Sequence, residues 1–540
     1  MALATRLARP QRWDRPFDPG MTAADLEQLK LDPVVAAIDA DAFPGTIPLD
    51  GILANDSRII HYKAGEIVVR EGDYGNSAFL IMSGACDVVV NPPLTDAQLG
   101  RQTEAPASIG RAISQLWKRT VVPEVRDVSR YGNIAVTETD HQAVFLQDYG
   151  VVLGGRSLPR LGAQQMFGEL AALGRTPRAA SVVCVEDAEV LEIRWQGLRE
   201  LRRFDAGWRR QIDTNYRANA LISHLQDTPL FDGLSDDALQ SIADATLFET
   251  YGSFDWSSSF QRAESDARLG TEPVIAREGE YPDGLLLIRA GFGRVSVRQG
   301  AAERTLTYLS AGDHFGLSEL YAGFKGGGSP MEATLRAVGY VDALRVPTKV
   351  LEEHVFPRMN KAPDSFLQFA ARPLADDSLQ EWAIEERFIN GTMAMLIDLD
   401  KCVRCDDCVR ACASTHGGNP RFVRHGKIND HWMVANACMH CSDPVCMIGC
   451  PTGAIHRTQA GGSVVINDDS CIGCGTCANS CPYNNIRLVE IRDLSGAPVQ
   501  DEATGQPIRK ATKCDLCAGI PGGPACERAC PHGALQRVDF

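Results

Sequence analysis

The chain has 540 residues, 44% apolar and 23% charged, which is a soluble globular composition with length for three or four domains. A net charge of −15 excludes a general nucleic-acid binder, which needs a basic footprint. Sixteen of the 18 cysteines lie between Cys402 and Cys530, which excludes a dispersed disulfide framework and points to one metal-rich domain joined to a cysteine-poor body.

Residues 1–45 read as an N-terminal extension. They show no basic start followed by an apolar run and a small-residue cleavage site, and no twin-arginine run, so no export signal is expected. No stretch approaches 18 uncharged apolar residues, so no membrane span is expected either. Dense thiols without an export signal fit a reducing, cytoplasmic setting and metal ligation better than disulfides.

A repeat organises the next part of the chain. Residues 70–90, REGDYGNSAFLIMSGACDVVV, align without gaps on 277–297, REGEYPDGLLLIRAGFGRVSV, with nine of 21 positions identical. Each copy reads as two strands joined by a tight turn. A second landmark follows in each, Phe167-Gly168 and Phe315-Gly316, and the first copy carries 59 more residues between its landmarks. The excess falls near 91–149, a polar insertion with an amphipathic pattern at 109–118. It reads either as a docking element or as a solvated surface excursion. The copies define domains at 46–220 and 221–375. Cys86 and Cys184, the two cysteines outside the rich segment, fall on expected strands as small buried residues.

Residues 167–182 read FGELAALGRTPRAASV. Together with REGDYGNSAFLIMSG upstream, this resembles the phosphate-binding cassette of cyclic nucleotide-binding domains, the β-roll family of kinase regulatory subunits and Crp-type regulators. The resemblance covers most of 46–220 and implies a nucleotide site made by Phe167, Gly168, Glu169, Leu170, Arg178, Ala179 and Ala180. A short helix would turn backbone N–H groups toward a phosphate, and Gly168 would allow close approach. Glu169 would accept from the ribose 2′-hydroxyl, and Arg178 would fork onto two phosphate oxygens. Ala179, where relatives that prefer cGMP often carry threonine, implies cAMP. A relic roll, or a cradle for another phosphate ligand such as a pyridine dinucleotide, is the alternative. In the second copy Pro330-Met331-Glu332-Ala333 stands against Pro177-Arg178-Ala179-Ala180, so the cation is lost and an acid added. That copy is expected to be a structural or partner-binding roll. Crp-type regulators place a helix-turn-helix after the roll; here a second roll takes its place, again against nucleic-acid binding.

After a linker at 376–392, residues 393–540 hold four cysteine groups: Cys402, Cys405, Cys408, Cys412; Cys438, Cys441, Cys446, Cys450; Cys471, Cys474, Cys477, Cys481; and Cys514, Cys517, Cys526, Cys530. The first and third have C-x2-C-x2-C-x3-C spacing, and the last three groups end in Cys-Pro. Zinc needs only four ligands in total, whereas repeated tetrads of this spacing are a bacterial ferredoxin signature. The arrangement resembles the four-cluster ferredoxin B subunits of the dimethyl-sulfoxide-reductase and formate-dehydrogenase families. That resemblance implies four [4Fe-4S] clusters with crossed ligation: Cys402, Cys405, Cys408 with Cys530; Cys514, Cys517, Cys526 with Cys412; Cys438, Cys441, Cys446 with Cys481; and Cys471, Cys474, Cys477 with Cys450. His416 and His440 are expected to be hydrogen-bonding neighbours of these complete sets.

The sequence thus predicts a multidomain α+β chain of two cyclic nucleotide-binding-type β-rolls (jelly-roll) followed by a polyferredoxin domain of ferredoxin-like βαβ repeats. No catalytic constellation, Walker loop or Rossmann fingerprint is evident. The implied role is an iron–sulfur electron-transfer subunit of a cytoplasmic oxidoreductase hetero-oligomer. Its redox partners would be a flavoprotein or NAD(P)H oxidoreductase, a hydrogenase or a molybdenum enzyme, and cAMP would regulate it through the first roll. The alternatives are a redox-responsive cyclic-nucleotide signalling protein, or rolls that serve only as assembly scaffold or dinucleotide-binding modules.

Overall fold

The computed structural model describes residues 5–89, 124–126, 158–252, 272–299, 302–365 and 382–539, with short breaks at 10, 15, 175–176, 220, 227, 360, 364, 384–385, 387, 459–461, 519 and 521. The helical pattern at 109–118 and most of the insertion lie outside these residues.

Apolar runs separated by glycine and aspartate turns fold the first repeat into strands β2 (Ser57–Tyr62), β3 (Ile67–Val69), β4 (Ser77–Ser83), β5 (Cys86–Val89), β6 (Arg160–Leu161), β7 (Met166–Phe167), β8 (Ser181–Cys184) and β9 (Ala188–Arg194); β1 (Arg6–Leu7) precedes them. Two antiparallel four-stranded sheets result, ordered β2-β9-β4-β7 and β3-β8-β5-β6. The β4–β5 turn requires Gly84, at φ +87°, because a Cβ there would stand 2.5 Å from the Asp187 carbonyl oxygen. Phe79, Ile81, Phe167, Val182 and Val190 fill the interior, with the Phe79 and Phe167 rings stacked 5.2 Å apart. Cys86 and Cys184 are register partners in that interior, fully buried, with sulfurs 3.5 Å apart.

Helix α1 (Leu49–Asp56) leads into the roll, α2 (Glu169–Gly174) lies within it and α3 (Trp195–Phe204) leaves it. A buried ion pair ties the entrance to the exit. The Asp56 carboxylate, fully buried, accepts from Arg194 at 2.6 Å and from Arg12 at 3.2 Å. Asp56→Ala would leave the buried Arg194 charge without its partner, so a loss of about 3–5 kcal/mol in denaturant unfolding is expected.

The second repeat forms a six-stranded sheet from β10 (Leu247–Tyr251), β11 (Val274–Ala276), β12 (Gly284–Gln299), β13 (Ala302–Leu309), β14 (His314–Phe315) and β15 (Thr334–Pro347), with α4 (Leu317–Phe324) beside it. The long β12 and β15 pair throughout and shift register near Ile288–Phe292, where bulges bend the sheet around Leu286, Ile288, Val295 and Phe315.

In the cysteine-rich end β17 (Val423–Asn429), β18 (Trp432–Asn436), β16 (Met393–Asp398) and β24 (Leu535–Asp539) form one antiparallel sheet. Two hairpin-like pairs join β19 (Ile455–Arg457) to β20 (Val464–Ile466) and β21 (Arg487–Glu490) to β23 (Arg509–Thr512). The short helices Asp407–Thr415, Val445–Ile448, Thr476–Ser480 and Ala525–Arg528 separate the strands and sit within the cysteine groups. The chain is mixed α+β, with β-rolls followed by a ferredoxin-type end. Among the described residues no helix is long and apolar enough to cross a membrane.

The compact units do not follow chain order. Residues 1–212 and 393–540 form one and residues 213–392 the other. In the first unit a continuous core joins Ile52, Leu80, Trp195 and Leu198 of the roll to Met447, Ile455, Val464 and Ile486 of the cysteine-rich end. Two further segments reach that end. β1 pairs in parallel with β22 (Gln500–Asp501). The described piece of the insertion, residues 124–126, pairs with Arg492: its Arg126 N–H donates to the Arg492 carbonyl at 2.7 Å, and the Arg492 N–H donates to Glu124 at 2.9 Å.

Candidate functional site

Cysteine loops must curl tightly for several thiols to face one point. Left-handed residues do this at Arg404, Asp406, His440, Leu516 and Cys517, and Gly473 and Gly475 do it with less strain. Twelve of the thiols converge in three groups of four. Cys402, Cys405, Cys408 and Cys530 line a hole of about 20 Å³. Cys438, Cys441, Cys446 and Cys481 line a second. Cys450, Cys471, Cys474 and Cys477 line a third. Cys412, Cys514 and Cys526 share one apolar cluster, and Cys412 is close enough to Cys517 and Cys526 to act on their ionisation. In each of the three holes the fourth cysteine comes from a different sequence motif than the other three.

The donor set suits an iron–sulfur group. Backbone N–H groups already point at sulfur: Arg421 to Cys412 and Ala534 to Cys530 at 3.3 Å, Asn485 to Cys481 and Ala511 to Cys471 at 3.4 Å. Burial pushes the Cys441, Cys446 and Cys514 thiols up, so without a metal they stay protonated at neutral pH. Burial also acts to raise Cys438, but Lys513 and His440 overcome it and hold that thiol at about 5. Burial acts against the charge of Lys513, yet Cys438, Cys446 and Cys514 raise its pKa; its ammonium donates to the carbonyls of Val464 and Cys514. Cys405 and Cys474 are exposed, while the remaining thiols are buried or half-buried.

The histidines behave as neighbours of the thiols. His416 Nδ1 lies 2.8 Å from the Cys412 carbonyl and 3.7 Å from its sulfur, and Nε2 lies 3.0 Å from Asp515. Burial opposes its charge, but Asp515 and Cys412 raise it to about 9. His440 Nδ1 accepts from the Val464 N–H at 3.0 Å. Gly473, at φ +64°, leaves no space for a side chain, since a Cβ would stand 1.9 Å from the Arg509 carbonyl oxygen. Gly473→Ala is expected to open the Cys471–Cys477 loop and reduce bound iron, measured by iron analysis of anaerobically purified protein.

The cassette residues lie together at one end of the first roll. Phe167 ends β7, Gly168 turns at φ +78°, Glu169 and Leu170 begin α2, and Arg178, Ala179 and Ala180 run into β8. Arg178 is buried, and its guanidinium threads between two glycines: an added Cβ would lie 2.2 Å from its Cζ at Gly75 and 2.3 Å from Nη1 at Gly168. It donates to the carbonyls of Gly168 at 2.6 Å and Ser77 at 2.7 Å and lies over the Phe79 ring. Desolvation draws its pKa down to about 10, against Glu192, Glu169 and Asp73. A cavity of about 170 Å³ opens beside it, lined by Arg178, Tyr74 and Trp195 of the roll and by Thr452, His456 and Asn467 of the cysteine-rich end. Among the described residues, Phe167, Gly168, Glu169, Ala179 and Ala180 do not line that cavity.

In the second roll the corresponding place is filled. Met331 is buried, with its Cε 3.0 Å from the position of a Cβ on Gly316. The buried Glu319 carboxylate accepts from the Glu332 N–H at 3.1 Å and from the Ser318 hydroxyl at 2.6 Å.

Sequence reasoning did not find Thr452, His456, Asn467 and Ser470 as cavity residues. No local spacing marks them, because the roll that faces them lies more than 200 residues earlier in the chain.

The profile of the 4Fe-4S dicluster domain matches residues 429–539, and that of the cyclic nucleotide-binding domain matches residues 152–203 and 268–355. The chain is 34% identical over 161 residues to the electron transport protein HydN of Escherichia coli K12, covering 27% of this chain and 87% of HydN. It is 32% identical over 168 residues to formate hydrogenlyase subunit 2 of the same organism, covering 27% of this chain and 81% of that subunit. Among solved structures it is similar to the co-crystal structure of the regulatory domain of Toxoplasma gondii PKA with cAMP, at 16% identity and a TM-score of 0.21, covering 62% of this chain and 94% of that one.

Proposed function

Through its cysteine-rich end the chain belongs to the 4Fe-4S electron-transport family that includes HydN, and on that premise we propose that it is an electron-transfer subunit of a cytoplasmic oxidoreductase complex. The observation that carries this reading is the convergence of twelve thiols into three groups of four, two of which reach the surface through Cys405 and Cys474. Four [4Fe-4S] clusters, held by the crossed cysteine sets, would supply one-electron stations. The protein's own residues do the rest. Cys402 and Cys412 start and end one motif and so tie the first group to that of Cys514. Lys513 sits among Cys438, Cys446 and Cys514 and ties that group to the next. Cys450 and Cys481 cross between the last two groups. The groups therefore run in a line whose ends carry the two exposed thiols.

Arg178 and the cassette around it would bind a cyclic nucleotide, cAMP by the alanine at 179, and the second roll, plugged by Met331 and Glu319, would serve as structure. The partners would be a flavoprotein or NAD(P)H oxidoreductase at one end and a hydrogenase or molybdenum enzyme at the other. The test is anaerobic co-purification from the native host with cofactor analysis. A stable complex with a flavoprotein or a dehydrogenase is expected. A free homodimer with easily lost iron would sink the reading in favour of a sensor.

A further inference from the structure

The cavity beside Arg178 has two walls of different origin. Its volume of about 170 Å³ holds on the order of ten waters, at roughly 10–15 Å³ each, which is room for a mononucleotide. The roll supplies a buried guanidinium that donates to two neutral carbonyls; the cavity-lining carboxylates Glu192 and Asp73 pair instead with Arg58 at 2.7 Å and Arg70 at 4.0 Å, which line the cavity too. It also lines the cavity with Tyr74 and Trp195. The opposite wall belongs to the loops that carry cysteines of the third group. The Thr452 hydroxyl donates to the Ser470 carbonyl at 2.8 Å and lies 3.9 Å from the Cys450 sulfur, and Ser470 immediately precedes Cys471. His456 and Asn467 complete that wall. The walls are fixed to each other: Asn76 donates to the Arg457 carbonyl at 3.2 Å, and the Arg457 guanidinium lies over the Tyr74 ring at 4.9 Å.

We propose that this cavity binds an anionic mononucleotide across both walls, and that its occupancy is coupled to the redox state of the adjoining group Cys450, Cys471, Cys474 and Cys477. The proposal rests on the cyclic-nucleotide reading above. A ligand held against Thr452 and Ser470 stands a few bonds from two sulfur ligands. One electron from a chemical reductant adds one negative charge to that group, and the added charge repels the ligand phosphate. Coupling is reciprocal, so reduction weakens the nucleotide, and the nucleotide makes reduction harder. Ordinary site-to-site coupling spans roughly 5- to 150-fold in affinity.

The test uses the full, iron-loaded chain under anaerobic conditions. Equilibrium dialysis with labelled cAMP measures Kd before and after reduction by dithionite, which is itself oxidised to sulfite. On reduction Kd is expected to rise on the order of tenfold. His456→Ala and Asn467→Ala are expected to weaken binding to the oxidised protein, with iron analysis as the check on folding. Equal Kd in the two redox states would overturn the coupling and leave the nucleotide reading standing. Loss of binding in Arg178→Ala together with native Kd in both wall variants would confine the site to the roll and overturn the shared cavity. No cAMP binding in either redox state would overturn both this proposal and the nucleotide reading.

Discussion

Substituting Cys446 by serine is expected to remove about four of about sixteen bound iron atoms and also to loosen the first β-roll. The second effect follows from packing. Cys446, Cys450, Cys471, Cys477 and Cys481 belong to the same apolar core as Ile52, Leu80, Trp195 and Leu198. An empty thiol group in that core would leave the inner face of α3 against a collapsing wall, and core voids cost several kcal/mol. Iron and sulfide analysis reads the first effect, and hydrogen exchange of the α3 amides reads the second. Cys402→Ser is the contrast: Cys402 packs at the edge of a separate core with Met395, Ile397 and Phe422. It should lose iron while α3 stays protected. A Cys446→Ser protein with its full iron complement would remove Cys446 from the ligand set, and one with unchanged α3 protection would refute the shared core.

Arg178→Ala is expected to abolish calorimetric heat with cAMP and to destabilise the roll. The guanidinium satisfies the Gly168 and Ser77 carbonyls from within a buried site. Removing it takes a donor from the Ser77 carbonyl and leaves the Gly168 carbonyl with the Ala172 N–H alone, a cost of about 1–3 kcal/mol, and opens a hole between Gly75 and Gly168. Arg178→Lys keeps the charge but cannot fork across both carbonyls, so an intermediate affinity and stability are expected. Native cAMP affinity in Arg178→Ala would remove this arginine from the site.

How much of this was legible in the sequence depended on distance along the chain. The cysteine groups were readable because each loop is local and its spacing is set by the geometry of several thiols facing one point. The repeat was readable because strand–turn–strand patterns are local too. Met331 in place of an arginine announced the filled second roll, and the structure adds that Glu319 takes up the Glu332 N–H there. The orientation of Arg178 was not readable. The motif suggests a guanidinium turned to a phosphate, whereas here it bonds to Gly168 and Ser77, a choice made by one backbone carbonyl on β4 and one in the turn after β7. The union of the first roll with the cysteine-rich end was equally hidden. The apolar face of α3 looks like any amphipathic helix, and only the folded chain shows that Ile455 and Val464 cover it. The pairing of β1 with β22 and of residue 125 with Arg492 has the same character, because two-residue ladders leave no signature in composition.

A unit assembled from residues 1–212 and 393–540 has consequences for how the protein is made. The first roll leaves the ribosome early, yet Val464 and Ile486, which seal the inner face of α3, follow more than 250 residues later. At about 5–20 residues per second the nascent roll waits tens of seconds with that face open to water. Residues 213–392 complete their own core during the wait. The roll is finished only after the cysteine loops emerge and take up metal. Iron scarcity in the cell would therefore register as misfolding and proteolysis of the first roll together with the loss of electron transfer.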